Sequence, residues 1–126
     1  MICLDTHALL WMALLPEKLS GKAAKYIENE NEFLIADITI WEIAMLHQKK
    51  RISIPIPLTE FMDLLMTSRD IIVSPINPAI AEISTKLVLQ KDPADRLICA
   101  TALYHNLKLI TKDKGIIKSS LVETVW

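Results

Sequence analysis

The chain has 126 residues, 52% of them hydrophobic and 23% charged, with a net charge of −1, two cysteines and only two glycines. That length suits one domain over residues 1–126, able to bury about 65–70% of its unfolded surface, and the composition excludes low-complexity, repeat and linker-rich architectures. No apolar run reaches membrane-spanning length, and Asp5 interrupts an N-terminus without a basic leader, so a cytoplasmic protein with no membrane partner is expected.

Met1 to Leu4 reads as a short buried strand, followed by helical residues from Thr6 to Leu14 that Pro16 ends. Ser20 is a good cap for a helix through Ile27, in which Ala23, Ala24 and Ile27 share a face. Phe33 to Ala36 is a second strand. Asp37 then reads as the cap of a helix continuing to Lys49, apolar almost all round and therefore either buried or part of a partner interface. Pro55 and Pro57 precede a helix near Thr59 to Met66, and Ile71 to Val73 is a third strand.

Pro78 opens a helix whose Ile80, Ile83 and Leu87 form a core-facing stripe. Asp92-Pro93-Ala94-Asp95 opens another, ending near His105-Asn106, where His105 reads as a dipole-compatible cap. Leu107 to Thr111 is the clearest strand, and Val122 to Val125 is a last one. Continuous apolar strands alternating with helices predict an α/β fold, three layers α/β/α around a mainly parallel, Rossmann-like sheet.

Against that apolar background four carboxylates stand out. Asp5 follows Ile2-Cys3-Leu4, Glu42 is the only charge between Ile38 and Leu46, Asp95 precedes Leu97-Ile98-Cys99-Ala100, and Asp113 follows the run ending at Thr111. Burying an unpaired carboxylate is costly, so such groups neutralise themselves, pair, or hold a metal. Ligands of open parallel sheets bind outside the carboxyl ends of the strands. Asp5 and Asp113 fall there, and Glu42 and Asp95 fall in early helical turns, so all four can converge.

Ordinary readings stand beside this one: Asp92 and Asp95 also make a good helix start, and Asp113 before Lys114-Gly115 also reads as a turn residue. An all-oxygen ligand set with no His/Cys spacing favours Mg²⁺ or Mn²⁺ over Zn²⁺. His7, His47 and His105 have no triad or metal spacing, and the chain has no glycine-rich phosphate loop, which excludes P-loop phosphoryl transfer. Cys3 and Cys99, inside apolar runs, read as buried thiols of a reducing compartment. A haloacid-dehalogenase-like site would need an acid where His7 stands, and a receiver-like site an acidic pair that is missing.

In four segments the sequence resembles the PIN-domain family, and more closely the VapC-type ribonuclease toxins of toxin–antitoxin pairs. They are Leu4-Asp5-Thr6-His7-Ala8-Leu9-Leu10-Trp11, Thr39-Ile40-Trp41-Glu42-Ile43-Ala44, Asp92-Pro93-Ala94-Asp95-Arg96-Leu97-Ile98-Cys99-Ala100-Thr101-Ala102 and Leu109-Ile110-Thr111-Lys112-Asp113. The resemblance implies a metal-dependent endoribonuclease with Asp5, Glu42, Asp95 and Asp113 as catalytic and metal-holding acids, Asp92 as a possible further ligand, and Thr6 and Thr111 as supporting hydroxyls.

It also implies an RNA substrate, a cognate antitoxin and a homodimer, with Lys49, Lys50, Arg51, Arg96 and Lys112 as candidates for RNA contact. The alternative is a catalytically silent module that binds RNA or a partner. Two positions depart from the pattern: Leu46 replaces a frequent Lys four residues after Glu42, and Ala36 a frequent Ser six residues before it.

Overall fold

The computed structural model describes residues 1–68 and 70–126. In chain order the elements are β1 (Ile2–Leu4), α1 (Thr6–Leu14), a 3₁₀ turn (Pro16–Lys18), α2 (Gly21–Glu28), β2 (Glu32–Ala36), α3 (Ile38–Gln48) and α4 (Leu58–Ser68). There follow β3 (Asp70–Ser74), α5 (Pro78–Lys86), α6 (Pro93–Tyr104), β4 (Leu109–Ile110), α7 (Lys114–Ser119) and β5 (Thr124–Val125).

The strands form one sheet in the order β3-β2-β1-β4-β5, every pairing parallel. Their apolar residues alternate between two cores, as a period-2 element buried on both faces must. Ile2, Leu4, Phe33, Ile35, Ile110 and Val125 pack under α1–α4. Cys3, Leu34, Ala36 and Leu109 pack on the other face against Ile98, Cys99 and Ala102 of α6 and Ile116 of α7. Both cysteines are free thiols inside that second core, and burial pushes the Cys99 thiol up to about 12. The layers are those of the expected α/β/α fold.

Several local expectations need correcting. Asp37 does not cap α3. A capping residue sits in the extended region so that its side chain can turn back on the first turn, whereas Asp37 is already helical (φ −61°, ψ −30°) and makes no capping bond. Its Oδ2 instead accepts from the Ile76 N–H at 3.0 Å, tying the end of β2 to the segment after β3. Asp113 is no isolated turn residue: it caps α7, a helix of six residues too short for periodicity to reveal. His105 does stand at the C-terminus of α6, and its Nε2 lies 2.9 Å from Oγ of the buried Ser74.

The strand expected over Leu107 to Thr111 narrows to Leu109–Ile110. Leu107 belongs to the end of α6, where Asn106 is left-handed (φ 53°) and the Leu107 N–H bonds the Ala102 carbonyl at 2.9 Å. The same closure ends α3. Lys50 is left-handed (φ 57°), its N–H reaches the His47 carbonyl, and the Arg51 N–H reaches the Leu46 carbonyl at 2.9 Å. That motif aims residue 51 back toward the helix it terminates.

Candidate active site

The carboxyl edge of the sheet carries the site because of where the connections turn. From β1 the chain passes to β2 on one side, while β4 pairs on the other, so the gap between β1 and β4 is a topological switch point. Asp5 leaves the end of β1 and Asp113 lies just beyond β4. Glu42 projects from the second turn of α3, and Asp92 and Asp95 from the start of α6. Together with Thr6, His7, Trp11, Met45, Leu46, Arg51 and Lys112 they line one open cleft of about 470 Å³.

Each acid is held by its local structure. Oδ1 of Asp5 accepts the Ala8 N–H at 2.7 Å, capping α1. The hydroxyl of Thr6, one residue on, donates to Oε1 of Glu42 at 2.5 Å. Asp92 caps α6 by accepting the Asp95 N–H at 2.9 Å, so the ordinary helix-start reading and membership of the cleft hold together. Asp113 accepts the Ile116 N–H at 2.9 Å through Oδ1 and the Lys91 ammonium at 2.7 Å through Oδ2, while its own N–H bonds Oγ1 of the buried Thr111 at 3.0 Å.

Among the described residues, Glu42, Asp92 and Asp95 can each bring one oxygen within 4.8 Å of the other two. Two full charges at that separation repel by about 3.5 kcal/mol at an effective dielectric near 20. Asp92 is exposed and water screens its share of that repulsion, while the half-buried Glu42 and Asp95 gain from a proton or a cation between them. Burial, then the charges of Asp92, Glu42 and Asp113, push the Asp95 carboxyl up to about 7. Burial also raises Glu42, against the bond from Thr6, and raises Asp5, against Thr111 and the Ala8 N–H. Asp113 goes the other way: burial alone would lift it, but Lys91 and the Ile116 N–H hold it below the usual carboxylate range. An all-carboxylate donor set of this spacing, with ligand groups short of compensating charge, suits a small hard divalent cation.

Of the basic residues singled out by sequence, Arg51 and Lys112 line the acidic cleft. Lys49 borders a neighbouring depression with Trp41, Pro93 and Ala94. Lys50 ends α3 through its backbone and its exposed side chain is not in the cleft lining, and Arg96 is half-buried on α6 outside that lining. Leu46, at the frequent Lys position, is 8% exposed and packs in the core under α1; the cation in that quarter is Arg51.

Two features went unread in the sequence, the place of Lys91 and the pairing of His7 with Trp11. Lys91 pairs with Asp113 from 22 positions away, with no spacing to announce it. His7 and Trp11 are an i,i+4 pair on α1 with ring centroids 5.6 Å apart. Lys112 Nζ stands 5.4 Å and Lys18 Nζ 6.0 Å from the Trp11 ring, and a second groove, lined by His7, Trp11, Lys18, Arg51 and Ile52 among others, continues from the cleft. The i,i+4 spacing was the available signal for that pair.

The chain matches the PIN domain over residues 2–119. It is 35% identical over 117 residues to Ribonuclease VapC22 of Mycobacterium tuberculosis (strain ATCC 25618 / H37Rv), covering 91% of this chain and 88% of that protein. Solved structures share the fold at lower identity. A toxin–antitoxin complex from Klebsiella pneumoniae superposes with a TM-score of 0.69 at 23% identity, over 97% of this chain and 95% of its counterpart. VapBC2 from Rickettsia felis, bound to a promoter DNA fragment, gives 0.71 at 14% over 98% and 97%, and FitAcB from Neisseria gonorrhoeae gives 0.68 at 19% over 98% and 96%. Family match, sheet order and the acidic cleft at the switch point agree: this chain belongs to the PIN-domain family.

Proposed function

We propose that the protein is a Mg²⁺- or Mn²⁺-dependent endoribonuclease, the toxin of a toxin–antitoxin pair. The observation that carries this is the cleft that gathers Asp5, Glu42, Asp92, Asp95 and Asp113, in a chain 35% identical to a protein named as a ribonuclease. Glu42, Asp92 and Asp95 would hold the cation, with Asp5 and Asp113 beside them. When bound, the ion supplies Lewis acidity toward a phosphodiester oxygen and lowers the pKa of water.

The chain's own residues do the rest. Thr6 fixes the rotamer of Glu42, and Thr111 and the Ala8 N–H fix Asp5. Lys91 holds the Asp113 carboxyl below the usual carboxylate range and so keeps it a weak base toward the attacking water. Arg51 and Lys112 neutralise phosphates at the mouth of the cleft. The groove past His7 and Trp11 offers an aromatic face, flanked by cations, to an unpaired base.

An antitoxin partner is proposed because the structures from Klebsiella pneumoniae and Rickettsia felis are such complexes, and a homodimer because the sequence resemblance implies one. Among the described residues no helix is long and apolar enough to cross a membrane. Cleavage of RNA by the pure protein in the presence of Mn²⁺ or Mg²⁺, abolished by chelation, tests the assignment. Full activity in a folded Asp5→Asn variant would rule this site out.

A further inference from the structure

Helix α3 has two apolar faces, and the core takes only one of them. Thr39, Ile43 and Leu46 are buried, while Ile38, Trp41, Met45 and Lys49 follow one another at i, i+3, i+7 and i+11 along the outer face. Trp41 is 56% exposed, and an indole in water leaves a large apolar area unburied. The stripe floors an open depression of about 540 Å³, bounded on its far side by Pro93 and Ala94 at the start of α6. The depression adjoins the acidic cleft, since Glu42, Met45 and Asp92 line both.

The rim of the depression carries both signs of charge. Glu42 and Asp92 stand on the side of the cleft, and Lys49 ends the stripe. Lys49 is exposed, lies outside the lining of its own cleft, and makes no ion pair among the described residues. A partner of one charge sign would leave one end of this rim unmatched. A second copy related by a two-fold axis matches both ends at once, because an isologous contact repeats each pairing in reverse. With α3 crossing its copy antiparallel at Met45, position 49 falls opposite position 41, four residues from the axis on either side. The ammonium then lies over an indole, the aromatic face that holds a cation best, and beside the Glu42 edge of the other cleft.

We propose that the Trp41 face of α3 docks a second copy of this chain, and that the partner's Lys49 completes the rim of each cleft. The inference rests on the homodimer of the reading above and goes further, giving that dimer a face and a working residue. Trp41 and Met45 from both copies form the apolar centre, and the charges around them fix the register. The partner's Lys49 meets RNA phosphates that pass Glu42, a charge the cleft does not receive from its own chain.

The test measures mass by light scattering and RNA cleavage with Mn²⁺, both on the full chain. The wild type should have the mass of a dimer, and Trp41→Glu that of a monomer with a native circular dichroism spectrum. A monomeric wild type overturns the proposal and the homodimer together. A folded Trp41→Glu that is still a dimer overturns the docking face and leaves the homodimer standing. Lys49→Ala should cleave about fivefold more slowly at moderate salt. Co-expressed with Asp5→Asn, whose own cleft is disabled but whose Lys49 is intact, it should cleave about threefold faster than the two variants assayed apart, because half the dimers are then mixed. Full activity in Lys49→Ala, or no gain on mixing, overturns the contribution across the axis. A wild type that cleaves no RNA defeats the nuclease reading, and the mass of Trp41→Glu then decides the face. Should Trp41→Glu fail to fold, Met45→Lys takes its place with the same expected monomer.

Discussion

The Thr6 hydroxyl donates to Glu42 Oε1 at 2.5 Å across 36 positions of sequence, joining the first turn of α1 to the second turn of α3. It is the contact that turns two separately folded helices into one site. A hydrogen bond to a charged group contributes about 1.5–3 kcal/mol. Thr6→Val, which keeps the shape and removes the donor, should therefore lower RNA cleavage about 10- to 100-fold, and Thr6→Ser should restore most of it. Initial rates at saturating Mn²⁺ check this; equal rates for Thr6→Val and wild type would show that Glu42 needs no orienting.

The acids make a prediction about pH. Burial and the neighbouring carboxylates push the Asp95 carboxyl from 3.8 in the unfolded chain up to about 7 in the folded one, so between those values the folded chain binds more protons than the unfolded one. Stability of the metal-free protein then falls as pH rises, since the slope follows the unfolded minus the native proton count. The penalty is absent below about pH 4 and complete above about pH 7. Glu42 and Asp5 push the same way, while Asp113, held low, contributes stability lost only on acidification. A higher melting temperature at pH 5.5 than at pH 8 in EDTA is expected, with the difference reduced in Asp95→Asn.

Metal should reverse that penalty. A ligand that binds only the folded state at 100 times its Kd stabilises by about 2.7 kcal/mol, several degrees in melting temperature for a domain this size. At pH 8 the wild type should gain that much with Mn²⁺. Asp95→Asn should start higher without metal and gain little. Thermal scans with and without Mn²⁺ decide, and an undiminished Mn²⁺ gain in Asp95→Asn would remove that residue from the ligand set.

Arg51 reaches the cleft because α3 ends in a left-handed closure at Lys50. Removing its charge should weaken RNA binding similarly for all sequences. The slope of log K against log salt should drop by about one phosphate contact, about 0.7 for a single strand. Trp11→Ala should instead cost about 1–3 kcal/mol of binding with little change in slope, the signature of lost stacking. Binding isotherms at several salt concentrations, with Ca²⁺ to prevent turnover, separate the two.

A left-handed residue with a Cβ costs about 1–2 kcal/mol, and glycine adopts that conformation freely. Lys50→Gly should therefore leave RNA cleavage unchanged and raise stability by about 1 kcal/mol. Chemical denaturation measures it; a loss of stability would mean that the lysine side chain makes a contact of its own.

The parallel α/β architecture was legible in the sequence because each layer leaves a local signature. Strands buried on both faces, such as Ile2–Leu4 and the stretch Phe33 to Ala36 of β2, read as unbroken apolar runs, and Ser20, Pro78 and Asp92 mark helix starts through chemistry confined to one turn. The acids were legible for a similar reason: a charge inside an apolar run is anomalous wherever it lies. What failed was short or shared. The six residues of α7 are too few for a period, and the helical backbone of Asp37 depends on its tie to Ile76 across the sheet.

By itself the sequence determined the layers, the strand–helix alternation and the set of carboxylates, since propensity, capping and burial cost act over a few neighbouring residues. Only the tertiary structure decided which acids share charge. It grouped Glu42 with Asp92 and Asp95, gave Asp113 to Lys91 and set Thr6 against Glu42. Coulomb energy and hydrogen bonds fall off over a few ångströms, and those distances exist only once α3, α6 and the end of β4 have been packed around the same edge.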